Sequence, residues 1–222
     1  MALLWDIDGT LLSTNGIGRE PLLAAIKKVT TISGDYEVHA LSGFTDHQIV
    51  NYILDRNGFN DSDRQKITSE ILDLYIDLYH QILPLPKFDL LNRIDEVLFA
   101  LSSNHNILNW ICTGNFIKGA KFKLSNVGLE SYFSSDNYFC SERIEERHKI
   151  VRRGKTRANG LGAEAIVIGD TIHDVQASQV NGIKCIAVES LAYPNEVLRS
   201  ANPDSILKLG WQVDDLLEAI YA

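Results

Sequence analysis

The sequence predicts an α/β fold, a parallel sheet covered by helices on both faces and interrupted near its start by an all-helical insertion. Three observations carry this. The chain opens on a short apolar run, Leu3–Leu4–Trp5, that leads directly into Asp6–Ile7–Asp8–Gly9–Thr10. From about residue 85 onward, short apolar runs alternate with segments of helical periodicity. Between Ser13 and about Pro84 the pattern is helical throughout and breaks that rhythm.

In chain order, the first strand spans about Ala2 to Asp6, and a polar connection, Ser13–Thr14–Asn15–Gly16–Ile17–Gly18, follows it. Helical segments are expected at Glu20–Val29, Asp46–Asn57 and Asp61–Ile82. In the last, Ile67, Ile71, Leu74, Tyr75, Leu78 and Ile82 form one apolar stripe; Asp61 or Ser62 caps it, and Pro84 and Pro86 stop it. Next come a helix near Asp89–Ser102, a strand at Ile107–Cys112, a helix near Phe116–Val127 and a short strand at Tyr138–Cys140. A helix at Glu145–Ala158 precedes the strands Ala165–Ile168 and Ile183–Val188.

Composition narrows the function. The chain has 222 residues, 45% of them hydrophobic and 23% charged, the range of a globular protein with one large domain or a core plus a smaller module. A net charge of −8 disfavours a nucleic-acid or anionic-membrane surface, yet leaves room for a small phosphorylated substrate in a local basic pocket. Cys112, Cys140 and Cys185 each sit in or beside an apolar run and read as reduced core thiols. No signal-peptide pattern is visible, and the longest stretch without acid or base, Phe99–Ile117, is too polar to span a membrane. A cytoplasmic location is expected.

In a parallel sheet, ligands bind beyond the carboxyl ends of the strands, so the polar residues ending each strand should converge. The first strand brings Asp6 and Asp8, two residues apart and on one side of an extended chain. Like charges that close call for a cation between them, and Mg2+ is the usual hard ion for oxygen ligands. The strand Ile107–Cys112 ends in Thr113–Gly114–Asn115, a hydroxyl plus free amides before a helix, suited to an anion or to simple capping. The strand Ala165–Ile168 ends in Gly169–Asp170–Thr171–Ile172–His173–Asp174, which adds two carboxylates, one of which helix capping accounts for readily. His173 reads as a helix-start residue near the pocket rim rather than a ligand. Among Arg143, Arg147, Lys149, Arg152, Arg153, Lys155 and Arg157, most form a solvated face, and Arg147, with Lys149 in reserve, stands near enough to the helix start to reach the site. Carboxylates, a hydroxyl with amide donors and one cation make the set that phosphoryl transfer to a carboxylate requires.

This order of motifs resembles the haloacid dehalogenase-like superfamily over essentially the whole chain, in its phosphoglycolate-phosphatase-like branch with a helical cap. The resemblance implies a Rossmann-like core of residues 1–13 and 85–222 and a cap of residues 14–84. It implies that Asp6 is a nucleophile forming an aspartyl-phosphate and that Asp8 is the general acid and base. Mg2+ would be held by Asp6, the backbone carbonyl of Asp8, and Asp170, with Asp174 in support. Thr113, Gly114, Asn115 and Arg147 would bind phosphate. Arg147 stands in for the lysine usual at the third motif. Asp8 also argues against dehalogenation, because a halide needs no proton. The segment Leu41–Ser42–Gly43–Phe44–Thr45–Asp46 resembles the loop that closes over the site, and Arg19, Thr45 and Arg56 are cap candidates for touching substrate. The expected partner is a small phosphorylated metabolite. A phosphomutase of the same fold or a phosphate-ligand-binding protein are the competing readings.

Overall fold

The computed structural model describes residues 1–17, 19–32, 43–81, 88–141 and 146–222. Six strands form one parallel sheet: β1 (Ala2–Trp5), β4 (Leu108–Cys112), β5 (Tyr138–Phe139), β6 (Ala165–Gly169), β7 (Lys184–Val188) and β8 (Ser205–Leu207), in the order β5-β4-β1-β6-β7-β8. Alternation along β1 divides the core. Ala2 and Leu4 face α6 (Arg147–Asn159), α7 (Ile172–Asn181) and α8 (Asn195–Ser200), among Trp110, Ile150, Val167 and Leu198. Leu3 and Trp5 point the other way, into a cluster with α4 (Ile94–Ser102), α5 (Ile117–Asn126) and α9 (Val213–Tyr221). Sheet strands buried on both faces explain the continuous apolar runs. Trp5 is fully buried, and its indole N–H donates to Asn109 Oδ1 at 3.0 Å.

The insertion is built from α1 (Arg19–Thr30), α2 (Asp46–Arg56) and α3 (Asp61–Gln81), and α3 packs on both others. It leaves the sheet through β2 (Leu12–Ser13) and returns through β3 (Asp89–Leu90), which pair antiparallel as a separate ribbon. Its buried face, including Ile26, Ile53, Ile71 and Tyr79, is continuous with the Trp5 side of the core.

One expected element changes. The helix near Asp89–Ser102 begins only at Ile94, because Asp89–Leu90 is β3 and Asn92 and Arg93 adopt left-handed φ values of 49° and 51°. Leu90 and Leu91 imitate helical spacing with Ile94, but left-handed residues end any helix there. The final segment adds α8, β8 and α9, to which the sequence reading assigned no element. Ile82, Pro84 and Pro86, Gly18, Leu41 and Ser42, Arg143 and Glu145, and the side chains of Arg19, Asp61 and Ser62 lie outside the described residues. All three cysteines that sequence placed in the core are buried free thiols.

Candidate active site

Strand order assembles the site. From β1 the chain steps to β4 and β5 on one side and to β6, β7 and β8 on the other, so the topology switches direction between β1 and β6. Register aligns Trp5 with both Ile111 and Ile168, and Asp6, Thr113 and Asp170 therefore emerge together at the carboxyl edge. The Asp6 amide donates to Ile168 O at 2.9 Å. Gly9 has φ +81°, and a Cβ there would stand 2.1 Å from Asp170 Oδ2, so only glycine lets this turn lie against Asp170. Gly169 is constrained in the same way: a Cβ would stand 2.3 Å from Asp174 Cγ.

Asp6, Asp170 and Asp174 are buried, with one oxygen of each within 4.8 Å of the others. Burial pushes the Asp6 carboxyl up to about 6 against the pull of Arg147, and the charges of Asp174 and Asp8 push the same way. Burial, then Asp6 and Asp174, raise Asp170 well above the usual carboxylate range. Asp170 Oδ1 has no hydrogen-bond partner among the described residues, and Asp6 Oδ1 faces the Arg147 guanidinium at 2.8 Å. Three buried carboxylates around one guanidinium leave excess negative charge, a donor set that suits a hard divalent cation.

Asp174 is placed differently from its two neighbours. Its Oδ2 accepts from the Thr171 amide at 3.1 Å and the Thr171 hydroxyl at 2.7 Å, closing the capping box of α7. Its Oδ1 accepts from Arg147 Nε at 2.7 Å and lies 2.6 Å from Nη2. Arg147, the first residue of α6, is buried, and the same Nη2 sits 2.8 Å from Asp6 Oδ1. Asp174 thus orients the cation that reaches Asp6. Lys149, the reserve candidate, is exposed.

The Asp8 side chain stands apart from the acidic cluster. Lys123 Nζ donates to its two oxygens at 2.6 and 2.8 Å, and Asn115 Nδ2 donates to Oδ2 at 2.7 Å. Asn115 also donates to the Thr113 hydroxyl at 2.9 Å and accepts from Lys123 at 2.5 Å. Sequence reasoning missed Lys123. The available signal was its position: Gly119, Ala120, Lys123 and Leu124 form the buried stripe of α5, and a lysine on such a stripe needs an anion.

The insertion closes over this edge. A cavity of about 370 Å³ is lined by Asp6, Asp8, Thr113, Gly114, Asn115, Lys123 and Arg147 from the core and by Gly43, Phe44, Asp46 and Ile49 from the insertion. The Asp46 amide donates to Gly114 O at 2.9 Å, and the Phe116 amide donates back to Asp46 Oδ2 at 3.0 Å. His47 Nδ1 and Ser141 Oγ lie 3.0 Å apart, and Phe44 meets His173 edge-on at 5.4 Å between centroids. Thr45 is buried as the N-cap of α2, in a capping box with Gln48, and does not line the cavity. Arg56 lies over the Tyr52 ring at 5.0 Å and also does not line it.

The profile of the haloacid dehalogenase-like hydrolases matches residues 3–188. The chain belongs to this family. Pyrophosphatase PpaX of Bacillus pumilus (strain SAFR-032) is 25% identical over 226 residues, covering 99% of this chain and 96% of that protein. The beta-phosphoglucomutase of Clostridium difficile superposes with a TM-score of 0.71 at 19% identity, covering 99% of this chain and 96% of the other. A "predicted phosphoglycolate phosphatase" from Haemophilus somnus 129PT gives 0.71 at 16%, covering 98% and 96%. The haloacid dehalogenase-like chain described here is therefore an enzyme, a phosphatase-like hydrolase with a Rossmann-like core. Among the described residues, no helix is long and apolar enough to cross a membrane.

Proposed function

We propose that this haloacid dehalogenase-like hydrolase is a Mg2+-dependent, cytoplasmic phosphatase acting on a small phosphate monoester through an aspartyl-phosphate on Asp6. The observation that carries the reading is the division of labour between two aspartates two residues apart. Asp6 is buried in an ion pair with Arg147 and beside Asp170 and Asp174, whereas Asp8 is held separately by Lys123 and Asn115. Two carboxyls in unlike environments suit unlike roles.

In this mechanism Asp6 and Asp170, with the backbone carbonyl of Asp8, would hold Mg2+. When bound, it would supply positive charge to offset that of the carboxylate nucleophile and the phosphate oxygens. Thr113 and the amides around Gly114 and Asn115 hold the phosphoryl group, and Arg147 faces the charge that develops on it. An Asp6 oxygen attacks phosphorus, the bond from phosphorus to the leaving oxygen breaks, and Asp8 donates its proton to that oxygen. Water then attacks the aspartyl-phosphate, Asp8 takes up its proton, and the bond from phosphorus to Asp6 breaks, releasing phosphate and restoring both side chains. Residues 1–13 and 85–222 form the catalytic core. Residues 14–84 act as a cap that excludes bulk water while the intermediate exists.

Hydrolysis of p-nitrophenyl phosphate tests this with Mg2+, with EDTA and with Asp6→Asn. Turnover should require Mg2+ and fall at least about a thousandfold in Asp6→Asn, whose thermal unfolding remains cooperative. Metal-independent turnover, or substantial activity in the variant, overturns the reading.

A further inference from the structure

We propose that Asp46 sets the leaving-group specificity of this site, favouring phosphate esters of uncharged, hydroxyl-rich alcohols over pyrophosphate and phosphorylated carboxylic acids. The inference rests on the phosphatase reading above and names its substrate class.

Asp46 opens α2 and lines the cavity from the insertion side, directly over the Gly114 loop to which its amide is bonded. Oδ2 accepts the Phe116 amide, which docks α2 against the start of α5. Oδ1 accepts no hydrogen bond among the described residues. Docking therefore occupies one oxygen of the group and does not require a charge. An asparagine would serve it equally well.

The surroundings decide what the second oxygen can accept. Burial raises the Asp46 carboxyl to about 6, and Lys123 pulls hardest in the opposite direction, so the group is anionic in neutral solution. Lys123 does not cancel that charge by contact, because its ammonium bonds to Asp8 and Asn115. Arg147 is likewise committed to Asp6 and Asp174. Away from the phosphoryl-binding residues and the Asp8–Lys123 pair, the described cavity wall is Thr14, Gly43, Phe44, Asp46, Ile49, Thr171 and Ala192. Among these side chains Asp46 is the one that carries a charge, and the rest are hydroxyl-bearing or apolar. A departing phosphate or a substrate carboxylate would bring negative charge against Asp46 in a medium where repulsion exceeds its value in water. A hydroxyl would instead donate to Oδ1. Asp46 is half-buried, and an acceptor facing the cavity discriminates in favour of substrates that can donate to it.

The test measures kcat/KM for p-nitrophenyl phosphate, glycerol 3-phosphate, glucose 6-phosphate, pyrophosphate and phosphoglycolate, with the native chain, Asp46→Asn and Asp46→Glu. The native chain should favour the better of the two hydroxyl-bearing esters over both anionic substrates by at least about tenfold. Asp46→Asn, which keeps an oxygen for the Phe116 amide, should shrink that ratio about tenfold or more, chiefly through a lower KM for the anionic pair. Asp46→Glu restores the charge and should restore the ratio in part. Turnover of p-nitrophenyl phosphate combined with a native preference for pyrophosphate or phosphoglycolate overturns the inference alone, as does a ratio unchanged in Asp46→Asn. Absence of turnover on every ester overturns the phosphatase reading and this inference together.

Discussion

Lys123 and Arg147 divide the positive charge of the pocket, and each is matched to one of the two aspartates that follow β1. A buried ammonium needs compensation. Lys123 finds it in Asp8 and Asn115; burial is the largest single influence on it, and the attractions of Asp8, Tyr79 and Asp46 together outweigh that burial. The same contacts fix the rotamer of Asp8, whose side chain is 40% exposed at the cavity and would otherwise swing free. Lys123→Met keeps length and volume but removes the ammonium and its two bonds to Asp8, leaving the Asn115 bond. It should lower kcat about 10- to 100-fold with KM changed little, and Lys123→Arg should recover part of the loss. Steady-state kinetics with p-nitrophenyl phosphate check this, and a KM defect without a kcat defect would contradict it. Asp6, Asp8, Thr113, Arg147 and Asp170 were legible as site candidates because each stands at the end of a predicted strand or the start of a predicted helix. Lys123 and Asp46 were not, because a side chain on a helix face is placed only by tertiary packing.

Among the elements, those with one clear period were readable. The α3 stripe and the buried β6 and β7 runs appear close to where the spacing puts them. The β2–β3 ribbon was not, since two-residue strands carry no periodicity and both residues of β3 are exposed. Nor could spacing reveal how α2 meets the loop before α5. That meeting depends on Gly114, where a Cβ would lie 3.0 Å from Arg147 Nη1 and 3.1 Å from both Phe44 O and Thr45 Cα. Gly114→Ala should lever the α2 lip away from the phosphoryl-binding loop. Its KM for p-nitrophenyl phosphate should rise about three- to tenfold, and backbone amides of residues 44–46 should exchange faster with solvent. An unchanged KM with unchanged exchange would show that the lip does not bear on this loop.

Over the whole molecule, the site is a local cost to stability. Asp6 and Asp46 are each raised from 3.8 to about 6, and Asp170 is raised well above the usual carboxylate range, with burial the first cause in every case. The folded chain then holds protons that the unfolded chain has already lost. By linkage Asp6 and Asp46 make the metal-free protein less stable as pH rises from about 4 through about 6, and Asp170 acts in the same direction. A divalent cation at Asp6 and Asp170 opposes this. At pH 7.5, saturating Mg2+ should raise Tm by about 5–10 °C, and at pH 5 by much less, because the ligands are then protonated. Asp170→Asn should remove most of the response, and a Tm indifferent to Mg2+ at pH 7.5 would count against the acidic cluster as a cation site.

The ribbon through which the chain enters and leaves the insertion has a separate consequence. Leu12 pairs with Leu90 and Ser13 with Asp89, so the two ends of the intervening segment lie about 5 Å apart. An exchange of everything between them for another segment with adjacent ends would cost the sheet little chain entropy, since closure depends only weakly on loop length. Asp6, Asp170 and Arg147 lie wholly outside that segment, whereas Phe44, Asp46 and Ile49 lie within it. The molecule is therefore open to evolutionary grafting, in which a new substrate preference arrives as a single cassette while the reacting groups are inherited intact.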